Sequence, residues 1–316
     1  MTGLFPEIEP FDVGHLDVGD GNSVYWEVCG NPEGKPALVV HGGPGSGCTP
    51  THRRFFDPSV YRIALFDQRG SGRSTPHVGD LETSLEHNTT DHLLQDIEAL
   101  RSHLGVDRWL VFGNSWGSTL ALVYGQHHPE GVSEIVLLAV TTTDRDEIHW
   151  LYHGAGRFFP DAWERFRVGA GASGQEDDLV GAYYRLLNSP DLSIREQAAA
   201  EWCRWEDAVV SGAEPNPRYE DPRFRMAFAR IVTHYFHHGA WLEPRQIIRN
   251  VHRLHGIPAV LIHGQLDHST PIATAQELAH AWPDSELVVV DAGHLANEPA
   301  MVEAAVDATN RFLAGH

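Results

Sequence analysis

Cysteine is scarce in this sequence. Cys29, Cys48 and Cys203 are odd in number and far apart, which fits neither a disulfide framework nor a closely spaced zinc site. Positive charge is scarce too: 23 Lys and Arg against 43 Asp and Glu leave a net charge of −20. Such a surface repels phosphate backbones and anionic lipid, so no nucleic-acid partner is expected. It attracts cationic substrates mildly, and most of the charge serves solubility. No run of about 18 residues is apolar, so no membrane span is expected. The opening MTGLFPEIEPFDVG has no basic stretch followed by an apolar one. No secretion signal is therefore expected, and a reducing cytoplasm is the simplest compartment. Internal repeats and low-complexity tracts are lacking as well.

What is present is an ordinary globular composition: 316 residues, 42% apolar and 21% charged. That length allows one large domain, or a core with a sizeable insertion. Two strand-like pieces, 14–18 and 23–28, flank a Gly-Asp-Gly-Asn hairpin signal. Short runs rich in Val, Ile and Leu follow at 36–40, 61–66, 109–112, 134–140, 258–262 and 286–290. They do not alternate with polar residues, the pattern of strands buried on both faces. Between them Leu93, Leu94, Ile97, Leu100 and Leu104 recur at helical spacing, with Gly105 as a stop. Further helices are expected at 115–127, 273–281 and 298–313. The alternation predicts an α/β fold: a mainly parallel twisted sheet with flanking helices.

The segment 141–251 lacks strand runs and carries Trp150, Trp163, Trp202, Trp205 and Trp241. It reads as an inserted helical cap, with polar loops at 169–178 and 211–218, over a discontinuous core of 1–140 and 252–316.

The strongest chemical signal is Gly113-Asn114-Ser115-Trp116-Gly117, placed between a strand and a helix. In that context G-x-S-x-G presents a serine on a sharp turn at the end of a sheet. A serine hydroxyl needs a base and a group that orients the base. His294 and Asp267, each just after a late strand, are the expected pair, and the order Ser, Asp, His matches this fold. His268 and Asp291 are alternative partners nearby. The backbone N–H of Trp116 and of Gly43, in the loop His41-Gly42-Gly43-Pro44-Gly45, are the expected oxyanion donors. The glycines at 42–47 also have phosphate-loop spacing, but Cys48 stands where lysine is required. Asp67-Gln68-Arg69-Gly70-Ser71-Gly72-Arg73-Ser74 reads as a structural loop shaping the floor of the site. The stretch 234–238 holds three histidines without a carboxylate or cysteine at ligand spacing, so no metal is expected. The chemistry calls for no cofactor.

HGGPG at 41–45, DQRGSGRS at 67–74, Asn88-Thr89-Thr90, GNSWGSTLAL at 113–122, and the late Asp267 and His294 together resemble the prolyl aminopeptidases (proline iminopeptidases). Phe158 to Trp163, Trp202 to Glu206 and Ala229 to Phe236 continue the match through the cap. The resemblance implies an α/β-hydrolase fold and release of an N-terminal residue, proline foremost, from small peptides. It implies that Glu206 binds the substrate ammonium; an ion pair between Glu206 and an arginine is the alternative. Gly42, Trp205, Thr141 and Val232 complete the expected substrate-binding set. Val232 stands where the family often has a second carboxylate. Leu138, Thr141 and Leu151 stand where an arginine and aromatic residues are expected. Those departures keep open an esterase, lactonase or amidase acting on a specialised substrate. A non-catalytic protein that retains the fold is a third reading.

Overall fold

The computed structural model describes residues 3–172, 174, 177–211 and 215–313. Parts of both expected cap loops, Ser173, Gln175, Glu176 and 212–214, lie outside the described residues. Eight strands form one sheet: β1 (Asp12–Asp17), β2 (Ser23–Gly30), β3 (Lys35–Val40), β4 (Tyr61–Phe66), β5 (Trp109–Asn114), β6 (Val132–Leu138), β7 (Ala259–Gly264) and β8 (Ser285–Val290). Their order is β1-β2-β4-β3-β5-β6-β7-β8. β2 pairs antiparallel with β1 and β4, and every pairing from β4 to β8 is parallel.

The helices are α1 (Thr90–His103), α2 (Trp116–His127), α3 (Arg145–Tyr152), α4 (Pro160–Gly169), α5 (Leu179–Leu187), α6 (Leu192–Glu206), α7 (Pro222–His237), α8 (Gln246–Arg249), α9 (Ile272–Ala281) and α10 (Pro299–Arg311). None is long and apolar enough to cross a membrane. α1, α2 and α9 pack on one face of the sheet through Leu93, Ile97, Leu120 and Leu278. α10 covers the other face with Met301, Ala305 and Val306. The interior strands β3, β5, β6 and β7 are buried on both faces, which explains their unbroken apolar runs.

β8 departs from that expectation. It is an edge strand with only one neighbour, and Val289 is 45% exposed. Val288 and Val290 pack on the α10 side and Leu287 on the α9 side, which leaves Val289 uncovered. β1, the opposite edge, exposes Val13 in the same way.

Helices α3 to α7 lie between β6 and β7 and carry an apolar cluster of their own, with Tyr152, Phe166, Tyr183, Trp202 and Trp205 at its centre. α7 joins this cluster to the core. Met226, Phe228, Ala229 and Val232 face the cap, while Ala227, Ile231 and Tyr235 pack with the sheet-side cluster. A helix with two apolar faces is buried all round, and residues 226–235 are all buried.

Candidate active site

β5 ends at Asn114, and α2 begins at Trp116. The residue between them, Ser115, takes φ 55° and ψ −123°, a left-handed conformation that is costly for a side chain bearing Cβ. The surroundings hold it there. Ser115 N donates to the Leu138 carbonyl at 3.0 Å, and the Ser118 hydroxyl donates to the Ser115 carbonyl at 2.6 Å. A Cβ on Gly113 would sit 2.3 Å from the Gly117 carbonyl oxygen, and one on Gly117 would sit 2.2 Å from that of Val40. These contacts are with backbone, so neither can yield cheaply. Gly117→Ala is expected to cost about 2–3 kcal/mol of stability, measured as a lowered urea midpoint with an unchanged m-value.

Two further loops converge on Ser115 from the ends of β7 and β8. Gly264 and Gly293 let them meet, since a Cβ on Gly264 would lie 2.1 Å from the Gly293 carbonyl oxygen. His294 Nε2 lies 3.0 Å from Ser115 Oγ, and His294 Nδ1 lies 2.8 Å from Asp267 Oδ2. Asp267 Oδ1 accepts from the Ser269 hydroxyl (2.7 Å) and from the backbone N–H groups of Ser269 (2.9 Å) and Thr270 (3.0 Å). Burial alone would raise the Asp267 pKa. The charge and hydrogen bonds of His294, with those of Thr270 and Ser269, outweigh it and hold the carboxyl well below the usual range. Burial pulls His294 down, but Asp267 and then Glu206 pull it up further, so its net shift is upward.

Neither alternative partner faces this imidazole. Asp291 accepts from the Gln265 side chain at 3.0 Å, and the His268 ring stacks on Phe158 at 4.3 Å. A hydroxyl, an imidazole and a carboxylate in this linear order can move a proton from oxygen to nitrogen and keep the resulting cation paired.

The glycine loop after β3 approaches from the third side. A Cβ on Gly42 would lie 2.8 Å from the Asn114 carbonyl oxygen and 3.4 Å from Ser115 Cβ, so only glycine allows the approach. Gly43 has φ 114°. His41, pushed down to about 4 by burial and therefore neutral, accepts from Gln68 N at 2.9 Å. Gln68 returns a bond to the His41 carbonyl (2.8 Å) and accepts from the Trp116 indole (3.0 Å). Asp67 accepts from Cys48 N at 2.7 Å and pairs with Arg73. The 67–74 loop thus ties together the turns that follow β3, β4 and β5.

Residues of α3, α6 and α7 close the site. An inner lobe with about 510 Å³ of unfilled space, partly open to solvent, is lined by Gly43, Ser115, Trp116, Thr141, Glu206 and His294, with Ile148, Leu151, Val210 and Phe236 as apolar walls. Glu206, the last residue of α6, is buried and accepts from the Tyr152 hydroxyl at 2.8 Å. Burial raises its pKa to about 7 against the opposing pull of Tyr152 and His294. Among the described residues no arginine pairs with it, so the ion-pair alternative does not hold.

Three expected positions sit elsewhere. Trp205 and Val232 are packed in the cap's apolar cluster and do not line the lobe. Leu138 is buried in β6 beneath the site. Gly42 borders the outer lobe of the same cavity. Several lining residues escaped the sequence reading, Thr143, Ile148 and Val210 among them. Ser269 and Thr270 were signalled only as hydroxyls following Asp267. Glu147 was hidden in the capping box of α3, where it accepts from Thr141 Oγ1 at 3.1 Å and Thr142 N at 2.9 Å. Among the described residues a trio that could hold a metal, Asp20, His87 and His92, occurs away from this cavity. The histidines at 234–238 are not part of it.

The wider resemblances follow this geometry. A family described as "alpha/beta hydrolase fold" matches residues 35–300. A Streptomyces coelicolor protein named "Probable proline iminopeptidase" is 50% identical over 99% of this chain and 98% of its own length. A Xylella fastidiosa protein named "Proline iminopeptidase" is 46% identical over 99% of this chain and 100% of its own. The solved Mycobacterium smegmatis proline iminopeptidase shares 21% identity and superposes with a TM-score of 0.64 over 96% of this chain and 100% of that one, a likeness of fold. With full-length relatives at such identity, the chain belongs to the proline iminopeptidase family of α/β hydrolases.

Proposed function

We propose that the protein is a serine exopeptidase that releases an N-terminal residue, proline foremost, from small peptides through a Ser115 acyl-enzyme. The observation that carries this reading is Glu206, a buried carboxylate in the lobe that also holds Ser115 and His294. The relatives' names agree with it. Glu206 receives the substrate's ammonium and so fixes that same residue's carbonyl, the scissile one, at Ser115 Oγ. His294 takes the Ser115 proton as the C–O bond forms, while Asp267 holds the imidazole and stabilises its charge. The N–H groups of Gly43 and Trp116 receive the oxyanion. His294 then protonates the leaving amine. In the second half it takes a proton from water, which hydrolyses the ester and restores Ser115. No metal or cofactor enters these steps.

The test compares prolyl-arylamide, alanyl-arylamide and a simple acyl ester. Cleavage of the aminoacyl amides, prolyl fastest, is expected. Ester turnover without any aminoacyl-amide cleavage would overturn the peptidase reading. A second reading has its own observation. The inner lobe is walled by Ile148, Leu151 and Val210 with Phe236, and Thr141 and Leu151 stand where the family's aromatic residues are expected. Such a lobe also suits the acyl group of an ester, lactone or amide lacking an amine, and that reading predicts activity independent of Glu206. Covalent labelling of Ser115 by a fluorophosphonate is expected under both readings and excludes a non-catalytic role.

A further inference from the structure

The cavity has a second, outer lobe that meets the inner one at Ser115. Gly42, Gly43, Ser115, Glu206 and His294 border it, and it opens toward the cap segment 215–219. It offers about 1410 Å³ of unfilled space, much of it open to solvent. Its polar wall includes Thr49, His52, Asn216, Asn297 and Arg218. Burial pushes His52 down to about 4, so it is neutral. Arg218 is the cation among these residues, and guanidinium remains charged at any working pH.

Arg218 is held without being neutralised. It donates to the Ser46 carbonyl and lies over the Phe224 ring at 4.0 Å. Among the described residues no carboxylate forms an ion pair with it. An arginine half-buried in a cavity, fixed by a carbonyl and a ring, retains N–H donors for a guest. In a chain of net charge −20, an unpaired cation facing a substrate cavity is conspicuous.

The cavity therefore carries opposite charges: Glu206 beside Ser115, where the two lobes meet, and Arg218 in the outer lobe. A short peptide is a zwitterion. With its ammonium at Glu206 and its first carbonyl at Ser115, the remaining chain has the roomier outer lobe to extend into. Each extended residue advances about 3.3–3.6 Å, so one or two residues after the cut bring the terminal carboxylate into that lobe. We infer that the outer lobe is a subsite for the terminal carboxylate of a di- or tripeptide, with Arg218 as its binding residue. This rests on the exopeptidase reading above and names its substrate class: free short peptides rather than long chains or blocked amides.

The experiment measures kcat/KM on prolyl-glycine, prolyl-glycinamide and prolyl-arylamide for the wild type, Arg218→Gln and Arg218→Lys. The wild type is expected to favour the free acid over the amide by about 10- to 100-fold, mainly through KM, the range of a charge-assisted hydrogen bond. Arg218→Gln should bring that ratio to about one, and Arg218→Lys should restore part of it. An acid-to-amide ratio near one in the wild type would overturn the inference while arylamide cleavage leaves the exopeptidase reading intact. So would an unchanged ratio in Arg218→Gln, which would reduce Arg218 to a staple for the 42–47 loop. Failure of the wild type to cleave any of the three would remove both readings together.

Discussion

Ser115→Ala is expected to lower kcat/KM for prolyl-arylamide at least about 10⁴-fold. The substitution removes one oxygen from a turn whose geometry is set by its neighbours. Alanine meets the same left-handed φ of 55°, and the hydrogen bonds that fix the turn use the Ser115 backbone. Thermal stability should therefore change little while turnover collapses. His294→Ala should fall by a similar factor. The double variant should be little worse than either single one, because a nucleophile and its base act as a unit. A Ser115→Ala enzyme within tenfold of the wild type would reject the assignment.

Glu206→Gln is expected to lower kcat/KM for prolyl-arylamide by about 10²–10³-fold and to leave ester turnover within a few-fold. The amide keeps the shape and loses the charge, so the substrate's ammonium enters a buried pocket without its counter-charge. The pH profile should report the same group. Below about 7 Glu206 is protonated and cannot pair with an ammonium, so kcat/KM should climb with pH through that region. The fall comes as the substrate amine loses its proton, near about 8 for an ordinary α-amine. Glu206→Gln should weaken the first limb.

A stability effect accompanies it. The folded pKa of Glu206 lies above its usual value, so the carboxyl's contribution to stability is present at low pH and is lost as pH rises through about 7. Glu206→Gln should therefore raise Tm more at pH 8 than at pH 5. Equal Tm gains at both would show that Glu206 ionises normally in the fold.

Much of this site can be read along the chain because each member of the proposed triad follows a strand. Ser115 follows β5, Asp267 follows β7 and His294 follows β8, and a parallel sheet brings such positions to one edge. Local pattern suffices for them. The cap is different. Trp205 and Glu206 are neighbours in sequence, yet adjacent helical residues point about 100° apart. One is packed in the cap's cluster and the other faces the cavity. Val232 and Phe236 lie one turn apart on α7, but only Phe236 lines the inner lobe. Periodicity cannot rank such positions when α7 is apolar on two sides. The partial exposure of β8 escaped for a related reason: an edge strand and a central strand can share a composition, and only the neighbour count separates them.

The insertion between β6 and β7 has a consequence for how the protein is made. Ile135 pairs with Ala259 across some 120 residues, so the central sheet must leave one side open while the whole cap emerges. Closing a loop of that length is slow, and the open β6 edge is apolar. The cap's separate aromatic cluster gives those residues something to condense around in the meantime. Ser115 is synthesised well before Asp267 and His294, just after β5, whose neighbours β3 and β6 flank it in sequence. Those two arrive with the last two strands. On the mechanism proposed here, a chain interrupted anywhere in between holds a serine with no base, so hydrolysis becomes available only once β8 and the loop that follows it have been made.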